Sequence, residues 1–275
     1  MKNTANVSTS KKVVKVAEMT PISASKQWRS LVRGEIKLLQ RNVTQLFYAL
    51  IFPILLPFMF LSVVPAQDLP ADQKAHLMGT LLAGSIIVGS TMASFYTAVS
   101  ALVNRREEGV LQRMQAGEAS DATIVISIFT PGAVMALLTS CLLFGILERV
   151  VGLHISVNLW LVAVGTIAAL LVCIAFSLIT ANYTRTAESA QVTAVPFMLI
   201  AMAGTMATVV TKEMSQVLYW IVNALPTAPV AHLIVEGVSL NVDWTIVARS
   251  LALAAAWIVL AGAWGWTNLR WVKRS

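Results

Sequence analysis

Six runs, each free of Asp, Glu, Lys and Arg, occupy about half of this chain: residues 46–64, 77–103, 122–147, 157–181, 191–211 and 250–268. A run of about twenty apolar residues crosses the hydrocarbon core of a bilayer as an α-helix. No water is available there to satisfy exposed backbone groups, so a run of this length must satisfy its own as a helix. The composition agrees: 57% of the 275 residues are hydrophobic and only 12% are charged, about half the charge of a soluble domain. The connections are too short to build an aqueous core. Residues 25–275 are therefore expected to form one all-α, polytopic membrane domain, and residues 1–24 a disordered basic tail rich in Lys, Ser and Thr. No removable leader is expected, because the first apolar run begins at residue 46 and no small-residue cleavage site follows it.

Orientation follows from the basic residues. With six spans and the N-terminus inside, sixteen of the twenty Lys and Arg residues face the cytoplasm and four (Lys74, Arg149, Lys212, Arg249) face outward. This is the positive-inside asymmetry. The net charge of +7 then reports topology and contact with anionic lipid, not nucleic acid. Both termini are expected to be cytoplasmic.

A further uncharged stretch, 214–235, is interrupted by Asn223, Pro226 and Pro229. A seventh crossing would put the C-terminal "RWVKRS" outside and weaken the charge asymmetry. Proline breaks helices by removing a donor and clashing with the preceding turn, so 214–240 is read as a re-entrant hairpin entering from the outer side. Residues 25–41, "SKQWRSLVRGEIKLLQR", have an apolar face with Trp28 and Val32 and a basic face with Arg29, Arg33 and Lys37. That pattern fits a helix lying in the membrane interface; a soluble amphipathic helix docked on a partner is the plainer alternative.

The spans carry no Asp, Glu, Lys or Arg in their cores, which argues against a proton relay. Energy for transport would have to enter through the cytoplasmic segments, chiefly 104–120, "NRREEGVLQRMQAGEAS". Read as a helix, it sets Val110, Leu111 and Met114 on one side, and Arg105 and Glu108 at i,i+3 can pair. Such a piece suits a groove on a soluble partner, although a solvated loop obeying the charge rule explains it as simply.

The three histidines, His76, His154 and His232, fall on the outer side without an H-E-x-x-H or similar spacing, so no metal site is expected. Nothing in the chain proposes a catalytic residue. Nor is there a phosphate-binding G-x-x-x-x-G-K-[ST] loop, since none of the fourteen glycines precedes a lysine.

Four stretches, in order, resemble permeases of type-2 ABC transporters. "RREEGVLQRMQAGEAS" (105–120) is similar to that family's "RE.GTLE.L..TP.S" segment after the second span. "FYALIFPILLPFMFLSVV" (47–64) is similar to its first span with a proline pair. "TRTAESAQVTAVPFML" (184–199) is similar to the link between the fourth and fifth spans. "LYWIVNALPTAPVAHLIVEGVSL" (218–240) is similar to its outer re-entrant hairpin. Two departures are visible: "AGEAS" stands where the family has "TP", and "TVVTKEMSQ" lacks a "P...P" element.

The resemblance implies that 104–120 is a coupling helix for an ATP-binding subunit, with Arg105, Arg106, Glu107, Glu108, Gly109, Leu111, Gln112 and Met114 as its contact residues. The 25–41 helix would flank the same interface. The implied assembly holds two copies of the ATP-binding subunit, which bind ATP and magnesium, and a second permease, identical or homologous. It implies a multi-pass protein of a bacterial cell membrane and a pathway lined in part by Phe58, Met92, Ser94, Phe95 and Phe197. The expected activity is export of a hydrophobic or amphipathic compound, such as a drug or natural product, with multidrug resistance one outcome. Export of a glycolipid or polysaccharide is the first alternative, and an ATPase-independent channel or scaffold the second.

Overall fold

The computed structural model describes residues 32–34, 37, 47, 51, 53–55, 57–59, 69–116, 120–151, 158–186 and 188–269. The 46–64 run is thus described only at scattered helical positions, and most of the 25–41 helix, with Trp28 and Arg29, lies outside the described residues.

Among the described residues the elements are all helical. They are α1 (Ala71–Ser90), a π-helical segment (Thr91–Tyr96), α2 (Thr97–Glu107), α3 (Val110–Gln115), α4 (Asp121–Val151), α5 (Leu159–Tyr183), α6 (Ser189–Thr205) with a 3₁₀ turn (Met206–Thr208), α7 (Gln216–Asn223), α8 (Ala228–Val238) and α9 (Trp244–Thr267). Five are long and apolar enough to cross a membrane: the continuous Ala71–Glu107 helix, α4, α5, α6 with its 3₁₀ turn, and α9. They coincide with five of the six runs in the sequence. The Ala71–Glu107 helix exceeds its run of 77–103 at both ends, because Asp72, Lys74 and the 105–107 charges continue the helix past the apolar stretch. At 1.5 Å per residue its 37 residues span roughly 55 Å, well beyond a hydrocarbon core of about 30 Å.

One interior joins α1, the π segment, α2, α3, α4, α5, α6, α8 and α9, with Met78, Leu82, Phe95, Val99, Ile124, Leu143, Val172 and Ile234 among its buried side chains. Lipid tails are as apolar as these side chains, so close packing rather than water exclusion holds such helices together. Small residues permit it. A Cβ on Gly132 of α4 would lie 2.3 Å from the Ala93 carbonyl oxygen, and one on Gly79 of α1 would lie 2.9 Å from the Val235 Cα.

The stretch read as a re-entrant hairpin is the pair α7 and α8, bent by 94° at the 224–227 turn. Thr227 Oγ1 donates to the Ala201 carbonyl at 2.9 Å. Ala201 lies seven residues before the end of the 3₁₀ turn at Thr208, so the turn sits about 10 Å along the bundle from that end. Helix α8 then returns, its Gly237 carbonyl accepting from Asn158 N at 2.9 Å beside the start of α5. At that same end His76 Nε2–H donates to the Thr208 carbonyl across 3.0 Å, and Trp160 stacks on Trp244 with ring centroids 6.0 Å apart. The Asp243 carboxylate caps α9, accepting from Thr245 N at 2.8 Å and Ile246 N at 3.4 Å.

Candidate functional site: the elbow at 104–116

The opposite end of the bundle carries the charged segment. It is not one continuous helix. Helix α2 ends at Glu107, Gly109 takes φ of +68°, and α3 begins at Val110. A left-handed residue is costly with a Cβ and free of that cost in glycine, so "EEGV" folds as an elbow. Arg113 closes it from the far side: its Nη2 donates to the Glu108 carbonyl at 3.0 Å and its Nε to the Gly109 carbonyl at 3.4 Å. The Glu108 carbonyl lies just past the end of α2, where that helix has run out of its own donors, and the Gly109 carbonyl also accepts from Arg113 N at 3.3 Å as α3 begins. Residues 117–119 lie outside the described residues, and Ser120 caps α4 by accepting from Thr123 N at 3.3 Å.

The apolar ridge of the elbow is used within the chain. Leu111 is 3% exposed and belongs to the main interior, with Met114 packed against it and Val110 half-buried. The expectation of a free ridge offered to a partner is corrected here: helical spacing identified the face, but the groove that receives it is the chain's own. What faces outward is polar: Asn104, Glu108, Gln112 and Arg113, with Arg105 and Glu107 partly buried. Glu108 acts electrostatically on Arg105, as the i,i+3 spacing implies.

Arg106 departs furthest from expectation. It is 5% exposed, and its guanidinium turns away from the surface. Nη1 donates to the Ala181 carbonyl at 2.9 Å and Nη2 to the Thr184 carbonyl. Nearby, Asn182 Nδ2 donates to the Gly265 carbonyl near the end of α9 at 3.1 Å, and the Thr184 and Thr193 hydroxyls meet at 2.6 Å. Reasoning from the sequence missed Asn182, Thr184 and Thr193. Their only signal was a polar trio in the 182–193 link, with nothing to say that it faces residue 106.

The remaining sequence-selected residues are dispersed. Arg33 and Lys37 are exposed and helical beside buried Val32, as the two-faced pattern requires. Of the pathway candidates, Phe58 is exposed and Met92 half-buried, whereas Ser94, Phe95 and Phe197 fill the interior. Phe95 and Phe197 meet with centroids 4.4 Å apart, and the row continues through Phe176 at 4.7 Å to Trp257 at 5.9 Å. In this conformation those two rings pack one helix on another and present no surface to a cargo. The Ser90 and Ser94 hydroxyls are buried beside the π segment and find no hydrogen-bond partner among the described residues. In the hairpin, Pro226 and Pro229 are buried, and Asn223 joins the two limbs through His232. His76 and His232, far apart in sequence, lie within electrostatic reach of each other. No cluster of three or more His, Cys, Asp or Glu side chains that could hold a metal occurs among the described residues.

A family model described as "ABC-2 family transporter protein" matches residues 62–266. No curated protein and no solved structure matches the chain.

Proposed function

Because the chain belongs to the ABC-2 transporter family, we propose that it is the permease of an exporter driven by a separate ATP-binding subunit, moving a hydrophobic or amphipathic compound out of the cytoplasm or inner leaflet. Two copies of the ATP-binding subunit, carrying ATP and magnesium, work on two permeases in a bacterial cell membrane. Both termini and the elbow are cytoplasmic, and the α7–α8 hairpin dips into the membrane from outside.

The observation that carries this reading is the elbow. A span runs past the apolar zone, turns at a left-handed glycine, and is held to the bundle by Leu111 while Glu108, Gln112 and Arg113 remain outward. A part anchored on one side and charged on the other can receive a load and pass it inward. The load does work only if inward- and outward-facing states of the permease differ in affinity for the ATP-bound partner. Charge on the outward face sets the partner's orientation and encounter rate more than raw affinity. The Lys and Arg distribution supports the orientation.

The experiment is co-purification of the permease from membranes with an ATP-binding subunit, followed by transport in vesicles. Wild-type permease stimulates ATP hydrolysis and moves cargo; Glu108→Lys stays in the membrane but loses both. Cargo movement with no nucleotide-hydrolysing partner would return the channel reading, and unchanged export by Glu108→Lys would remove the elbow from the coupling path.

A further inference from the structure

A buried arginine stands where a partner-facing charge was expected, and its hydrogen bonds run into the chain. We propose that Arg106 is a positioning residue that clamps the elbow to the 181–186 turn, so that a load on the elbow reaches α5, α6 and α9 together instead of bending α2 alone; this rests on the transporter reading above.

The chemistry of the contact favours a clamp over an incidental bond. Ala181 and Thr184 present carbonyls at the C-terminal end of α5. The last carbonyls of a helix lack intrahelical donors and carry the negative end of its dipole. A guanidinium answers both needs, because its planar fork reaches two carbonyls at once and its charge strengthens each bond. Lysine, a single point donor on a flexible stem, cannot span the pair equally.

The same turn holds two further tethers. Asn182 reaches Gly265 near the end of α9, where a Cβ on the glycine would come within 2.7 Å of Leu178 Cβ, so α5 and α9 touch there with no side chain between. Thr184 reaches Thr193 of α6. Within residues 181–184, therefore, bonds from α2, α6 and α9 converge on the end of α5. Such groups are costly to separate in a low-dielectric setting. The boundary between moving parts then lies outside this group, and the elbow travels with the turn. A chain of contacts transmits nothing unless the whole has two arrangements; the clamp determines which parts share one.

The test uses the permease with its ATP-binding partner in phospholipid vesicles. Spin labels are placed on cysteines at Ala116 and Tyr183, both exposed, after the exposed Cys141 is changed to Ser. The distance between the labels is expected to be the same in nucleotide-free and ATP-trapped complexes. Arg106→Met broadens that distance and lowers cargo exported per ATP hydrolysed by about tenfold, and Arg106→Lys recovers part of the ratio. A label distance that shifts between the two states with Arg106 in place overturns the clamp, as does Arg106→Met with an unaltered export-to-hydrolysis ratio. If Arg106→Met does not reach the membrane, the label pair with Arg106 in place decides alone. A permease with Arg106 intact that neither stimulates hydrolysis nor exports overturns the transporter reading instead. The nucleotide-free label distance, compared between the native chain and the Arg106→Lys variant, then still reports on the clamp: unchanged sharpness overturns it, and broadening supports it.

Discussion

His232 Nε2–H donates to Asn223 Oδ1 across 2.8 Å, joining the two limbs of the α7–α8 hairpin. The geometry fixes the direction of the bond. Asn223 Nδ2 is already committed to the Tyr219 carbonyl at 2.9 Å, so its oxygen faces the imidazole. Asn223→Ala leaves a largely buried His232 donor unmade and is expected to cost about 1–3 kcal/mol of stability, whereas His232→Gln keeps a donor and costs less. Thermal unfolding in detergent measures both, and equal losses would show that the bond does not hold the limbs.

The hairpin turn offers a second, steric test. A Cβ on Gly204 would lie 2.0 Å from Thr227 Oγ1, the atom that donates to Ala201. Gly204→Ala must therefore push the turn off α6, at an expected cost of about 1–3 kcal/mol for overpacking. Thr227→Val removes one hydrogen bond and costs about 1 kcal/mol. Because the two substitutions share one contact, the double variant should be less damaged than the sum. Strict additivity in unfolding measurements would place the turn elsewhere.

Under the coupling role proposed for the elbow, backbone conformation and partner contact can be separated. Gly109 has φ of +68° and open space around its missing Cβ, so any loss on substitution reflects the backbone alone. Gly109→Asn suits a left-handed position and should keep most stimulation of the partner's ATP hydrolysis, whereas Gly109→Val should lose it and cost about 1–2 kcal/mol. If both variants behave alike, the turn is not what coupling requires.

How much of this was legible beforehand depends on the range of the interaction. The spans after residue 70 were legible because lipid imposes a length and a composition that a single segment must meet by itself. The break between α7 and α8 was legible through Pro226 and Pro229, which act on their own neighbours. Its place along the bundle was not, because that depends on Thr227 meeting Ala201. Likewise, spacing put Val110, Leu111 and Met114 on one face but could not say whose groove they fill. Arg106 was the hardest case: its partners are 75 and 78 residues away, and an arginine in a charged loop after a span reads as topology by default.

Asp243 gives a pH prediction with a defined sign. The backbone N–H groups of Thr245 and Ile246, followed by the Thr245 hydroxyl, hold its carboxyl below the usual carboxylate range. A group whose pKa is lower folded than unfolded stabilises fully above the unfolded value, about 4, and loses that contribution as pH falls through the folded value. Thermal stability of the native chain should therefore decline below about pH 4 more steeply than that of Asp243→Asn, which retains an acceptor for α9 but does not titrate. Parallel curves would mean that the carboxylate cap contributes nothing.

The buried serines separate packing from passage. Ser90 and Ser94 carry hydroxyls sealed inside the bundle with no hydrogen-bond partner among the described residues, and a buried unmade hydrogen bond costs about 1–3 kcal/mol. Ser94 flanks Phe95, whose ring is fully buried against Phe197. If the hydroxyl belongs only to packing, Ser94→Ala relieves the penalty, and the variant should unfold at a higher temperature with transport unchanged. If the π segment opens during the cycle and the hydroxyl then meets cargo or water, Ser94→Ala should gain the same stability and lose transport rate. The two measurements on one variant thus decide whether the middle of the Ala71–Glu107 helix is a fixed wall or part of the route.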